Sequence, residues 1–221
     1  MPEDLFTADL FADDRRQIAL SDGAWLLGGF ALPRADALIA AIAPLIAAAP
    51  FRHWETPGGR HMSVAMSNCG PLGWVSDRGG YRYTPRDPLS GAKWPPMPPL
   101  FLGLAQDAAA KAGYPDFQPD ACLINRYQPG TQLTLHQDQD EQDLRAPIVS
   151  VSLGLPALFL WGGDTRAQRP ARHRLSHGDV VVWGGRSRMV FHGVAPLPDG
   201  QHPATGSLRY NLTFRKAGAG D

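Results

Sequence analysis

From Ala121 onward the chain breaks into short β-rich runs divided by Gly and Pro turns, and this texture constrains its fold more than any other feature. The runs cover 122–127, 133–136, 148–154, 157–161, 179–183, 189–192 and 207–215. Seven short strands at this spacing predict an antiparallel sandwich or jelly roll and argue against a parallel βαβ sheet. Ahead of them, 24–27 reads as a strand. Residues 36–49 read as a helix despite Pro44, and 99–111 as a second helix stopped by Gly113. Helices first and strands later place the helices on the outside of one sheet. The expected fold is α+β: a double-stranded β-helix (jelly roll) core over about 120–217, with an N-terminal α/β extension. Between the helices, about 51–99 is rich in Gly, Pro, Trp and Tyr, with one short strand candidate at 61–67, and reads as a lid or binding loop.

The 221 residues fit a single domain, expected over 21–217, between an acidic tail at 1–20 and a short tail at 218–221. No run approaches the ~18 apolar residues of a membrane span. The acidic start, MPEDLFTADLFADDRR, lacks the basic and apolar blocks of a signal peptide, so a cytoplasmic protein is expected. Cys69 and Cys122 are too few for a disulfide scaffold and read as buried, inert thiols in a reducing compartment. Net charge is zero but unevenly spread. Residues 1–144 hold 11 basic and 17 acidic side chains, and residues 145–221 hold 10 and 4. A positive second half is compatible with phosphate contacts. Because 18 of the 21 basic residues are Arg in a chain rich in Ala, Gly and Pro, compositional bias accounts for much of the excess.

Within the β-rich half, His136-Gln137-Asp138 is followed by a lone His192. On an extended segment, positions 136 and 138 project from one face and can share one ion. His192, in Phe191-His192-Gly193, ends a strand-like run where a turn can aim it at the same point. Two imidazoles and one carboxylate leave three coordination positions open, the facial arrangement of non-haem Fe(II) oxygenases that bind a 2-oxo acid and O2. Surface histidines and chance H-x-D matches are the bland reading. A catalytic zinc site shares this ligand set.

The arginines downstream tip the balance toward iron. Over 207–215, Tyr210, Leu212 and Phe214 alternate with Arg209, Asn211, Thr213 and Arg215. If the apolar face packs outward, two guanidinium groups are buried and require anions. Arg209 and Arg215 lie about 20 Å apart along a strand at ~3.3 Å per residue. Long side chains converging from both ends leave room for a five-carbon diacid, whose carboxylates suit guanidinium's paired donors. A solvated edge strand is the alternative. Asn125 and Tyr127 alternate likewise and can donate to carboxylate oxygens. Trp74 and Tyr81, in the Gly/Pro-rich stretch, are either exposed aromatics or core. Asp140 is either a specific negative charge or one member of the acidic run 138–143.

The segments CLINRYQPGTQLTLHQDQDE, RAPIVSVSLGLPALF, HGDVVVWGG, FHG and RYNLTFR resemble the AlkB family of alkylation-repair dioxygenases. TPGGRHMSVAMSNCGPLGWVSDRGGYRY and AGYPDFQPDACLINRY are similar to its bacterial members. The likeness runs from about residue 50 to 217. It implies Fe(II) held by His136, Asp138 and His192, with 2-oxoglutarate and O2 as co-substrates. It implies 2-oxoglutarate binding by Asn125, Tyr127, Arg209, Asn211 and Arg215, with Arg209 at the distal carboxylate and Arg215 beside the metal-bound end. It makes the 51–99 stretch a nucleotide-recognition lid, with Trp74, Tyr81 and Asp140 on the damaged nucleotide. It also implies Arg166 as a further substrate contact, in the 163–174 loop that departs most from the family pattern. The implied activity is oxidative demethylation of N1-methyladenine and N3-methylcytosine in DNA, single-stranded or with the base flipped out, by a monomer. RNA bases, a non-catalytic jelly-roll binding module and a zinc hydrolase stand as alternatives.

Overall fold

In the computed structural model, residues 17–219 are described; the stretch expected as an acidic tail lies outside them up to residue 16. Thirteen strands and two α-helices occur among the described residues. β1 (Gln17–Ser21) and β2 (Ala24–Leu27) lead to α1 (Ala35–Ala48). β3 (Ala65–Cys69), β4 (Gly73–Asp77) and β5 (Gly80–Thr84) precede α2 (Pro99–Lys111). The rest is β6 (Ala121–Tyr127), β7 (Leu133–His136), β8 (Ile148–Gly154), β9 (Ala157–Trp161), β10 (Ala171–Leu175), β11 (Val180–Trp183), β12 (His192–Val194) and β13 (Arg209–Arg215).

These last eight strands form the jelly roll. Four sit in a large sheet of order β1-β2-β11-β8-β13-β6-β3 and four in a small sheet of order β10-β9-β12-β7. β1, β2 and β3 widen the large sheet at its two edges. Period-two alternation builds the layers. Val149, Val151 and Leu153 of β8 and Leu212 and Phe214 of β13 join Leu38, Ile42, Phe101 and Leu104 of the helices in one core. The opposite face of the large sheet, with Leu123, Val181 and Trp183, meets Phe159, Trp161 and Val194 of the small sheet in a second. The helices therefore cover the outside of the large sheet, and both cysteines are buried and free. Pro44 is tolerated in α1 because it and Ala40, whose carbonyl loses its partner, lie on the exposed side. No helix of the described residues is long and apolar enough to cross a membrane.

Several boundaries differ from expectation. Residues 17–20 are not tail: they pair with β2, Ile18 opposite Leu26. The strand expected at 61–67 lies at Ala65–Cys69, because its partners on β6 run from Arg126 to Cys122. The strand expected at 189–192 begins only at His192, since a 3-10 turn at Gly185–Ser187 and its bonds fold the preceding residues back. β10, with exposed arginines, is a strand by virtue of pairing with β9 at the sheet edge. The stretch expected as a lid contains an antiparallel hairpin, β4 with β5.

A buried carboxylate ties the 51–99 segment together from within. Asp87 accepts both guanidinium ends of Arg52 (Nη2–Oδ2 2.6 Å), the Ser90 hydroxyl and the Leu89 amide. Burial opposes its ionisation, but these donors outweigh burial and bring its pKa down to about 2. Asp87→Ala is expected to cost about 2 kcal/mol, a fall of ~4–8 °C in Tm for a domain of this size. Calorimetry showing an unchanged midpoint would remove that tie.

Candidate active site

His136 is the last residue of β7 and His192 the first of β12, and the two face each other in the ladder between those strands. Gly193 permits this approach: a Cβ there would lie 2.7 Å from the Leu133 carbonyl oxygen. Each imidazole is oriented through Nδ1, which donates to a main-chain carbonyl, Thr134 O for His136 (2.8 Å) and Val190 O for His192 (3.0 Å). That leaves Nε2 of each ring turned toward the cavity as the atom available to an ion. Both Nε2 atoms point at Asp138, 3.7 Å from Oδ1 and 3.8 Å from Oδ2. One ligand atom from each of the three residues falls within 4.8 Å of the other two, a separation one ion can span. Burial, then His136, lowers the His192 pKa to about 4, so it is the neutral ligand form at physiological pH. Burial also opposes ionisation of Asp138, but Arg215, followed by the two imidazoles, outweighs it and holds the carboxyl below its ordinary range.

The three residues line a cavity of about 740 Å³ between the sheets. Arg215 enters it from one end of β13, with Nη2 and Nε at 2.7 and 3.0 Å from Asp138 Oδ2. Arg209 enters from the other end and is 1% exposed. Its Nη2 donates to Ser152 Oγ (3.0 Å) and its guanidinium lies 4.9 Å from the Tyr127 ring centroid. Its Nε and Nη1 have no partner, nor does Asn125 Oδ1 on the same wall. No acidic side chain among the described residues pairs with it. A buried cation without a counter-ion is costly enough that the cavity is matched to an anionic guest. Tyr127 is buried with its pKa pushed up to about 12 by burial, and remains a neutral phenol.

Asn211 differs from its neighbours. Its amide donates to Ser150 Oγ (2.7 Å) and Val151 O (3.0 Å) and accepts from Asn125 and Thr213. It lines the cavity with its bonding capacity committed to the protein.

The cavity's mouth is built by the lid hairpin. Trp74 and Tyr81 stack at 5.6 Å and 16°, one cross-strand diagonal apart. Asn68 of β3 grips the Trp74 main chain at both N and O (2.9 Å each). The Trp74 indole donates to Asp140 Oδ2 (2.8 Å). Burial raises the Asp140 pKa. Arg166 stands on the rim, donating to the Leu135 carbonyl (2.5 Å), 5.8 Å from the Phe191 ring. All twelve residues singled out in the sequence thus face one cavity.

Residues 23–215 match the 2OG-Fe(II) oxygenase superfamily. The chain is 59% identical over 95% of its length, and 98% of the other, to the alpha-ketoglutarate-dependent dioxygenase AlkB of Escherichia coli K12. The chain belongs to the AlkB family of 2OG-Fe(II) oxygenases. A human family member, the nucleic acid dioxygenase ALKBH1, is 33% identical over 59% of this chain and 34% of its own. The solved structure of OsALKBH1 superposes with a TM-score of 0.80 at 29% identity, covering 91% of this chain and all of that one. The AlkB-family chemistry uses Fe(II), 2-oxoglutarate and O2, and the donor set fits these reactants. It offers two imidazoles and a carboxylate for the ion, and for the acid a buried guanidinium with no counter-ion among the described residues.

Sequence reading did not single out five residues at or beside the cavity. Ser150 and Ser152, which interrupt the apolar run IVSVSLG on its inward face, were legible from that interruption. Trp183 presents a buried indole N–H without a partner beside His192. Tyr83 and Glu141 meet at 2.6 Å across the lid, and no spacing signal joins two residues 58 apart.

Proposed function

We propose that this protein removes alkyl groups oxidatively from ring nitrogens of nucleic-acid bases, N1-methyladenine and N3-methylcytosine above all, in DNA repair. It would consume 2-oxoglutarate and O2 and release succinate, CO2 and formaldehyde. The observation that carries this reading is Arg209, a buried cation with no counter-ion among the described residues, at the far end of a cavity whose near end holds the His136, Asp138 and His192 donor set. When bound, iron with 2-oxoglutarate and O2 supplies the oxidising chemistry that hydroxylates the alkyl carbon.

The chain's own groups position the reactants. Arg209, with Tyr127 and Ser152, takes the distal carboxylate of 2-oxoglutarate. Asn125 and Arg215 bound the end nearer the metal, and Asn211 stiffens that wall. Trp74 and Tyr81 hold the base; an indole face over a cationic methylated ring is worth on the order of 1–2 kcal/mol when desolvated. Asp140 accepts from the exocyclic amine of adenine or cytosine, and Arg166 on the rim contacts the strand. A base inside a stacked duplex cannot enter such a cavity, so the substrate is single-stranded or has the lesion flipped out, which costs least for bases that cannot pair. One catalytic domain, from β1 at Gln17 to about residue 217, carries all of these contacts, and a cytoplasmic monomer completes the reading.

Anaerobic loading with Fe(II) and 2-oxoglutarate, then O2 with an N3-methylcytosine oligonucleotide, should release one formaldehyde per repaired base. Matched DNA and RNA strands rank the two polymers; no formaldehyde from either overturns the reading. Asp140→Ala is expected to flatten discrimination between lesions with and without an exocyclic amine by roughly 10-fold or more, the worth of a hydrogen bond to a charged group. Substrate-free 2-oxoglutarate turnover should change far less. Equal losses in the two assays would show that Asp140 does not select the base.

A further inference from the structure

Asp138 lies outside any β-ladder. β7 ends at His136 and β8 starts at Ile148, so the intervening loop carries the carboxylate without regular main-chain pairing. Side-chain bonds from the segment after the 3-10 turn replace that pairing. Arg188, 3% exposed, donates through Nη1 to the Asp138 carbonyl (2.6 Å), through Nε to the Ala146 carbonyl (3.1 Å) and through Nη2 to Glu141 Oε2 (2.9 Å). It thus holds the loop at both ends and in the middle. The next two residues continue the pattern. The Met189 carbonyl accepts from the Gln137 side chain (2.5 Å), and the Val190 carbonyl accepts from His192 Nδ1 (3.0 Å).

We infer that Arg188 is a positioning residue that sets the Asp138 carboxylate at chelating distance from His192, by locking the 137–146 loop to the segment that orients that ring. Burying a guanidinium is costly unless its donors are matched, and here all three acceptors belong to the loop. Lysine cannot substitute, because one ammonium cannot span three acceptors that a planar fork reaches together. Glu141 extends the lock to the lid: its Oε1 accepts from Tyr83 of β5 (2.6 Å) and lies 3.3 Å from Arg215 Nε. The inference rests on the metal site proposed above and adds to it a residue that touches neither ion nor substrate.

Mn(II) titration of the metal-free full chain, without 2-oxoglutarate or O2, reads the geometry directly, with the metal-induced rise in Tm as a second readout. Wild type should bind Mn(II) and Asp138→Ala should not; failure of this pair sinks the metal site itself. With that pair behaving as expected, Arg188→Lys should weaken Mn(II) binding about 10-fold and Arg188→Met by up to ~100-fold, the range for groups that orient ligands. The metal-induced rise in Tm should shrink in step. A residue serving stability alone would lower Tm equally with and without Mn(II) and leave the affinity at the wild-type value. That result in Arg188→Lys, the variant that keeps the charge opposite Glu141, overturns the inference even if Arg188→Met does not fold.

Discussion

Alanine at Asp138 is expected to lower formaldehyde release by on the order of a thousandfold or more, since even groups that merely orient ligands cost about 10–100-fold. It should also destabilise the metal-free protein, for a separate reason. Asp138 is the close partner of Arg215, whose side chain is 8% exposed, and its removal leaves that guanidinium, among the described acidic residues, with Glu141 at 3.3 Å. Stranding a buried charge costs about 3–5 kcal/mol; with Glu141 remaining, the lower end applies, a drop of ~6–12 °C in Tm. Asp138→Asn keeps the volume and one acceptor oxygen for Arg215. It should lose activity almost as completely while recovering much of the midpoint. Formaldehyde assays after anaerobic Fe(II) loading and calorimetry of the metal-free proteins measure the two effects independently. Activity above a few per cent in either variant would remove Asp138 from the metal site. An unchanged Tm in Asp138→Ala would mean that the Arg215 pair carries no stability.

This double role was half visible in the sequence. The spacing of His136 and Asp138 announced a shared ion, because alternation in an extended chain is a local property. The Arg215–Asp138 contact joins residues 77 apart and depends on β13 lying in the large sheet while the ligand loop crosses between the sheets. β13 itself was legible for the same local reason: its apolar and polar residues alternate and only one face could join the helices. The lid hairpin was not, because Gly73–Asp77 and Gly80–Thr84 are short, aromatic-rich and separated by Arg78-Gly79, a turn inside a stretch already dense in turn formers. The shift of the last metal-site strand to His192–Val194 was hidden for a different reason. Met189, Val190 and Phe191 have strand composition, yet the 3-10 turn before them directs their carbonyls to ring and amide donors. Glu141 and Arg188 were illegible altogether, since each looks like an ordinary charged loop residue until folding buries both.

Methionine at Arg209 is expected to abolish useful 2-oxoglutarate binding and, without ligand, to leave the fold as stable as wild type or more so. Both effects follow from the same unmatched guanidinium. Arg209 donates to Ser152 and lies against Tyr127, with burial pulling its pKa down and with Nε and Nη1 unpartnered among the described residues. An apolar side chain of similar length removes that burden, a class of change worth roughly 0–4 kcal/mol in favour of the folded state. With the diacid bound, the fork supplies two charge-assisted hydrogen bonds of ~1.5–3 kcal/mol each, so their loss should raise Kd by about 10²–10⁴-fold. Arg209→Lys keeps the charge without the fork and should fall between. Arg215→Met, six residues along the same strand, should behave oppositely in the ligand-free state, because it abandons Asp138 and Glu141 and must destabilise. Calorimetry with and without 2-oxoglutarate tests both arginines at once, since a ligand that no longer binds no longer raises Tm. Equal destabilisation by the two substitutions would mean that Arg209 already has a counter-ion in the free protein. The cavity would then have no intrinsic demand for a diacid.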